Sequence, residues 1–448
     1  MLARLRALPD RLLGTLWFVP GAIVLAAVVL GVLMVELSAR VDQEALARYP
    51  RLFGASAGSS RALLAAIAGA MITVAGVTFS ITMVAVTQAS TQYTPRILRN
   101  FMRDRASQVV LGVFVGIFAY CLVVVRTIRD VDELRFVPSL AVLLGLALAI
   151  AGTGVLIFFI HHMASLLQAT SIVERVARDT VATVDRLFPD EVGDEAAPGE
   201  RAAALAGQGA AAWVPVPSPA TGYVQRVDGA GLVRLAAEHD VVVRMARGVG
   251  DFAAEGAPLA WVAPGHAAAR AAAHASAGVA PLFVIGSFRT VEQDAAFGVR
   301  QLVDVALKAL SPGVNDTTTA VTCVDYLGAV LAHAGSRRIE SPYRADGGVM
   351  RVVARGPTFE SLLRTAVDEI RQSAGGNVSV LARLLETLGE VAARTRPAER
   401  RRLIDEQVSL VAEAGERTVP APHDRERLRA LVAAARKAAG AGPASGPG

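Results

Sequence analysis

The sequence predicts an integral membrane protein with four transmembrane helices at its N-terminus. A soluble α+β C-terminal region follows, holding a small β-barrel or sandwich and a helical subdomain. Three observations predict this. The 448 residues are 53% hydrophobic but only 5% aromatic, with a mean hydropathy of +0.44, too apolar for an ordinary soluble protein of this size. Four apolar runs near the N-terminus reach the length of roughly 17 to 25 residues that a hydrocarbon core requires. Beyond residue 212 the pattern changes to short β-branched segments and amphipathic helices.

The first run, Leu16 to Val35, follows Arg4, Arg6 and Arg11, and Leu37-Ser38-Ala39 imitates a signal cleavage site. Its apolar part exceeds the ~7 to 15 residues of a signal core, so it reads as a retained span. The others are Leu63 to Val86, Val109 to Val125 and Val137 to Ile160. Four spans put both termini on one side. The basic N-terminus and the arginines of the second loop favour placing both termini in the cytoplasm, where a large C-terminal region needs no export. Arg40, Arg48, Arg51 and Arg61 of the first loop nearly balance that count.

The boundaries follow from composition: a transmembrane domain over 1–163, a helix continuing from the fourth span over 164–189 until Pro189 stops it, and a Gly-, Ala-, Pro- and acid-rich linker over 190–212. Residues 213–263 form the small barrel-like domain, with strands in WVPVP, GYVQRVD, VVVRMA and APLAWVA and a helix at GLVRLAAEH. The phrase from Gly250 to Leu259 is similar to the turn of biotinyl/lipoyl barrels, but no lysine stands at a hairpin tip to carry a prosthetic group. Residues 264–418 form an α+β and helical domain. It holds a strand at LFVIGSF and two helices around SPGVND, where Pro312 and Gly313 break the first and Asn315 or Asp316 caps the second. A strand at VMRVVARG and helices over Thr358–Ser373, Val378–Thr395 and Ala398–Gly415 follow, and 419–448 is a C-terminal helix with a disordered tail.

The second span carries the most informative pattern. Alternating steps of four and three select Gly69, Thr73, Gly76, Ser80, Met83, Thr87 and Ser90, with Thr91 beside them, on one helix face. Such a face packs against a helix or lines a polar path between several subunits, with Met83 as an apolar constriction. Small residues of the third and fourth spans, Gly112, Gly116 and Ala119 and then Gly145, Ala149 and Gly152, favour packing. Arg96, Arg99 and Arg103 then face one way on a short amphipathic helix, placed to meet lipid phosphates or to draw anions to a mouth. His161 and His162 close the fourth span; an adjacent pair diverges on a helix and cannot chelate one metal within a subunit.

In the soluble region Arg300, Asp304 and Lys308 stand four apart, with Arg289, Glu292 and Asp294 before them and Asn315 and Asp316 after. A solvated salt-bridge ladder is the plain reading, a ligand or subunit contact the sharper one. Cys121 and Cys323 read as small core residues. No metal-ligand spacing, nucleophile motif, Walker loop or dinucleotide fingerprint occurs, so neither an enzyme nor a cofactor is expected. The net charge of +5 reflects arginines at headgroup level, not nucleic-acid binding.

The phrases FSITMVAVTQASTQYTPRILRNFMRDRASQVVLGVFVGIFAYCL, FFIHHMASLLQ and DAAFGVRQLVDVALKALSPGVNDTTTA resemble the bacterial predicted-membrane-protein family called domain of unknown function 2254, over about residues 15 to 415. The resemblance implies four N-terminal spans with a soluble C-terminal region, and brings no activity or catalytic residue. Thr317 stands where that family is associated with proline, which would loosen a helix start. From the residues themselves, the expected function is an oligomeric inner-membrane channel or permeation protein gated by its cytoplasmic domain. The alternative is a membrane-anchored sensor or scaffold binding a ligand or partner near Arg300, Asp304 and Asn315.

Overall fold

Four long apolar helices open the chain: α1 (Phe18–Arg40), α2 (Ala57–Gln92), α3 (Arg105–Thr127) and α4 (Ser139–Leu166), each long and apolar enough to cross a membrane. The structure is a computed structural model and describes residues 17–40, 56–92, 104–129, 136–166, 169–187, 213–264, 269–291, 293–337 and 342–441. The chain divides into two compact units, Met1–Ser171 and Ile172–Gly448.

In the first unit α3 is the central helix, burying Phe114, Ile117, Tyr120, Cys121 and Val124 among its neighbours. Its glycines admit α1: a methyl at Gly112 would come within 2.8 Å of Ile23 Cδ1 and 3.0 Å of the Pro20 backbone. Gly145 of α4 likewise receives Leu64 of α2, so small residues set the helix spacing where no hydrophobic effect between helices operates. Polar ends are tied within the bundle. Tyr120 donates to the Ala141 carbonyl at 2.7 Å, Ser38 Oγ accepts from Ala141 N at 3.3 Å, and Arg61 donates to the Ile128 carbonyl at 2.7 Å. Leu37-Ser38-Ala39 therefore lies inside α1.

The second unit begins on α5 (Ala169–Leu187), which buries Ile172, Val173, Val176 and Val184. The expected unbroken helix over 164–189 crosses residues 167–168 and ends at 188–189, outside the described residues, as does the 190–212 linker. Next come β1 (Val214–Pro217), β2 (Gly222–Val227), α6 (Gly229–Glu238), β3 (Val241–Met245), β4 (Phe252–Ala253) and β5 (Pro258–Pro264). Then follow α7 (Ala269–Val279), β6 (Phe283–Gly286), α8 (Ala295–Ala309), α9 (Thr317–Ser336), β7 (Tyr343–Asp346) and β8 (Val349–Val353). Four helices end the unit: α10 (Phe359–Ser373), α11 (Val378–Arg394), α12 (Ala398–Thr418) and α13 (Pro422–Ala441). Residues 442–448 of the expected tail lie outside the described residues.

The β-segments form two sheets, of order β1-β5-β3-β8-β7 and β4-β2-β6, and among the described residues neither closes into a barrel. Nor do the sheets stop at residue 263: β6 pairs antiparallel with β2, and β8 pairs parallel with β3. One core joins Val224 and Phe283 of the smaller sheet to Val243, Val262 and Val352 of the larger, with Leu232 and Ala236 of α6 and Ala275 of α7. Strands of four to six residues cannot bury both faces alone, so they take partners from later in the chain.

Candidate functional site

The small and polar face of α2 points away from its own bundle. Gly69, Thr73, Gly76, Ser80, Met83 and Thr87 are all exposed, whereas Leu64, Ile67, Met71, Ala75 and Thr78 are buried. At ~100° per residue the two sets lie on roughly opposite sides of the helix. A methyl at Gly69 or Gly76 would meet nothing within 4 Å. The glycines of α3 and α4 that seemed to answer this face pack against α1, Leu64 and Met71 instead. Each hydroxyl is held by its own helix: Thr73 donates to the Gly69 carbonyl at 2.8 Å, Ser80 to Gly76 at 2.9 Å and Thr87 to Met83 at 2.9 Å. The side chains of Ser90 and Thr91, and all of Arg96, Arg99 and Arg103, lie outside the described residues.

The Arg61 bond to Ile128 sets the start of α2 beside the end of α3, so the two helices run antiparallel. The 23 residues of α3 rise about 35 Å, a distance α2 covers from Arg61 to roughly residue 84. Gly69 to Ser80 therefore stand at the depth of the bundle. Met83 lies near the level of Asp104, and Thr87 extends past it.

At that level the structure assembles a polar cluster that periodicity did not select. Asp104 caps α3, accepting from Ser107 N at 2.9 Å and Ser107 Oγ at 2.7 Å, and His162 Nε2 of α4 lies 2.9 Å from its Oδ2. The Asp104 side chain is 10% exposed and that of His162 21%; Phe158 stacks on the imidazole. Burial raises the Asp104 pKa, but the Ser107 hydroxyl and amide and His162 outweigh it and hold the carboxyl below its usual range. His161 is exposed on another side of α4. A signal was available: Asp-x-x-Ser just before an apolar run marks a helix start, and antiparallel spans with a short connection bring the start of α3 beside the end of α4. An acid and an imidazole in contact at the edge of a membrane bundle tie two spans together.

In the C-terminal unit Arg300 donates to Asp304 Oδ1 at 2.7 Å and grips both carboxylate oxygens of Glu369 on α10. Asp304 is buried, so this is an interhelix ion triad and not a wholly solvated ladder. Lys308 is exposed a turn further on. Asn315, with φ of 49°, and Asp316 lie beyond the last nine residues of α8, a rise of roughly 14 Å from Arg300. Asp316, rather than Asn315, caps α9, accepting from Thr319 N at 3.0 Å and Thr319 Oγ1 at 2.6 Å, bonds that lower its pKa. Thr317 accepts from Asn377 Nδ2 at 2.7 Å, linking the starts of α9 and α11 in a way proline could not. Asp294 caps α8 and takes a two-pronged bond from Arg289 at 2.8 and 3.0 Å. Glu292 lies outside the described residues, among which no group of three His, Cys, Asp or Glu could hold a metal ion.

Four helices fit to span a bilayer, a polar cluster at their edge and an appended α+β unit define a multi-pass membrane protein. The chain belongs to the DUF2254 family of predicted membrane proteins, whose model matches residues 14–390. Proteins described as uncharacterised from Mycobacterium bovis and from two strains of Mycobacterium tuberculosis are each 33% identical over 451 residues, covering 97% of this chain and 82% of the relative. No solved structure matches.

Proposed function

We propose that the protein is an oligomeric channel or permeation protein of the bacterial inner (plasma) membrane, with both termini in the cytoplasm and the C-terminal region as its gate. The observation that carries this reading is the outward face of α2, where Gly69, Thr73, Gly76 and Ser80 occupy a surface flanked by Ile72, Val77 and Phe79. A helix that met only lipid there would gain nothing from glycine. Copies of α2 around a common axis would: small residues let the backbones approach, and hydroxyls bonded to their own helix still offer lone pairs to water. Met83, near the level of Asp104, then supplies a narrow apolar ring. Arg96, Arg99 and Arg103, outside the described residues, would by their spacing in sequence meet headgroup phosphates or draw anions to that mouth.

Purified protein in liposomes is expected to pass ions. Ser80→Leu should block the flux, and Met83→Ala should raise it. Absence of conductance across pH, voltage and membrane tension overturns the reading. The alternative, a membrane-anchored sensor or scaffold, finds Arg300 already engaged with both Asp304 and Glu369. No enzymatic role is proposed.

A further inference from the structure

The ends of α9 and α11 meet at a cleft of the C-terminal unit with a volume of about 400 Å³. Two glycines of α9 bring these helices together. A methyl at Gly328 would stand 2.2 Å from Thr387 Cγ2, and one at Gly335 would stand 2.5 Å from Thr395 Oγ1. Ala329, Ala332 and Ala393 give the cleft a short-chained apolar wall, and His333, Ser336, Arg394 and Arg396 supply its polar lining.

Two helix C-termini carry negative partial charge and would ordinarily repel an anion. Here they are already answered. Arg400 donates to the carbonyls of Ala334 at 3.3 Å, Gly335 at 3.2 Å and Arg337 at 2.7 Å, while Arg401 donates to those of Thr395 at 3.3 Å and Arg396 at 2.7 Å. The acid beside His333 is engaged as well: Asp185 meets His333 Nε2 at 2.6 Å and accepts from Arg337. Arg394 and Arg396 are exposed, and among the described residues no ion pair occupies either guanidinium.

We propose that this cleft binds a small phosphate-bearing anion. Its phosphoryl oxygens lie against the forks of Arg394 and Arg396, which match phosphate geometry; the Ser336 hydroxyl lines the cleft but donates to the His333 carbonyl at 2.9 Å. The apolar part rests on the three alanines, in a volume ordinary for small-molecule sites. This goes beyond the permeation reading, for the site can exist whether or not α2 conducts.

The test is calorimetric titration of inorganic pyrophosphate into the full-length protein in detergent. Saturable binding is expected, weakened at least tenfold by Arg394→Gln with Arg396→Gln and less by the matching lysine pair. Arg436→Gln, far along α13 where Arg436 bonds Ser409, should leave it unchanged. Nanodiscs distinguish two sources of the phosphate. Arginine-dependent weakening of pyrophosphate binding by phosphatidylglycerol, relative to phosphatidylcholine, points to a lipid headgroup, and equal affinity in both points to a free anion. No saturable binding to the wild type, or equal binding by the glutamine pair with an unchanged melting temperature, overturns the proposal.

Discussion

On α2, Thr73, Ser80 and Thr87 recur every seven residues, and each hydroxyl donates to the carbonyl four positions back. On α8, Arg300 and Asp304 stand four apart and join each other and Glu369 across to α10. The spacing places each set on one helix face, yet the first face looks out of its unit and the second is built into one. The difference lies in reach and charge. A short hydroxyl can satisfy itself on its own helix, so it needs no tertiary partner. A buried carboxylate has no such option and needs an opposite charge brought from elsewhere.

The largest expected effect breaks the α8 side. Arg300→Ala leaves the Asp304 side chain, 5% exposed, without its cation and should cost about 3 kcal/mol or more. Thr73→Val on α2 should stay within about 0.5 kcal/mol. Denaturation of the full-length protein in detergent measures both, and equal losses would erase the contrast.

Glycine sharpens it at the next level. Gly328→Val must displace Thr387 and should cost about 1 to 3 kcal/mol, read as a lower melting temperature. Gly69→Val meets open space within its unit and should leave subunit folding nearly intact, while disrupting any association through α2. A cross-linking ladder unaltered by Gly69→Val would count against that association.

Asp104 lies between the two cases, for it caps its own helix and also takes a partner from α4. Its folded pKa is below the ordinary value of 3.8, so its stabilisation is present above that value and is lost as pH falls through the lowered one. Asp104→Asn keeps a capping oxygen but not the charge and should cost about 1 kcal/mol near neutral pH. As pH falls below 3.8 the gap between the two melting temperatures should narrow; a gap that stays constant down to acid unfolding would remove the charge from the account.

Much of this was legible in the residues. Four apolar runs correspond to four helices, and the SPGVND break falls between α8 and α9. The Asp316 cap and the last helices follow from local propensity and punctuation, which act over a few residues. Illegible were β7, the return of β6 and β8 to earlier strands, and Glu369 as the second acid on Arg300. Each is a choice of partner over a distance in sequence that no local pattern encodes.

By itself, then, the sequence determined the class of protein, its membrane helices and the membership of each helical face, since length, hydropathy and period are properties of consecutive residues. Only the tertiary structure decided what those faces meet. It turned Gly69 to Ser80 outward, because the α3 glycines were taken by α1 and α2 packed through Leu64 and Met71. It also brought His162 to Asp104 and drew the ends of α9 and α11 around one cleft, because burial and close packing are settled between segments rather than within them.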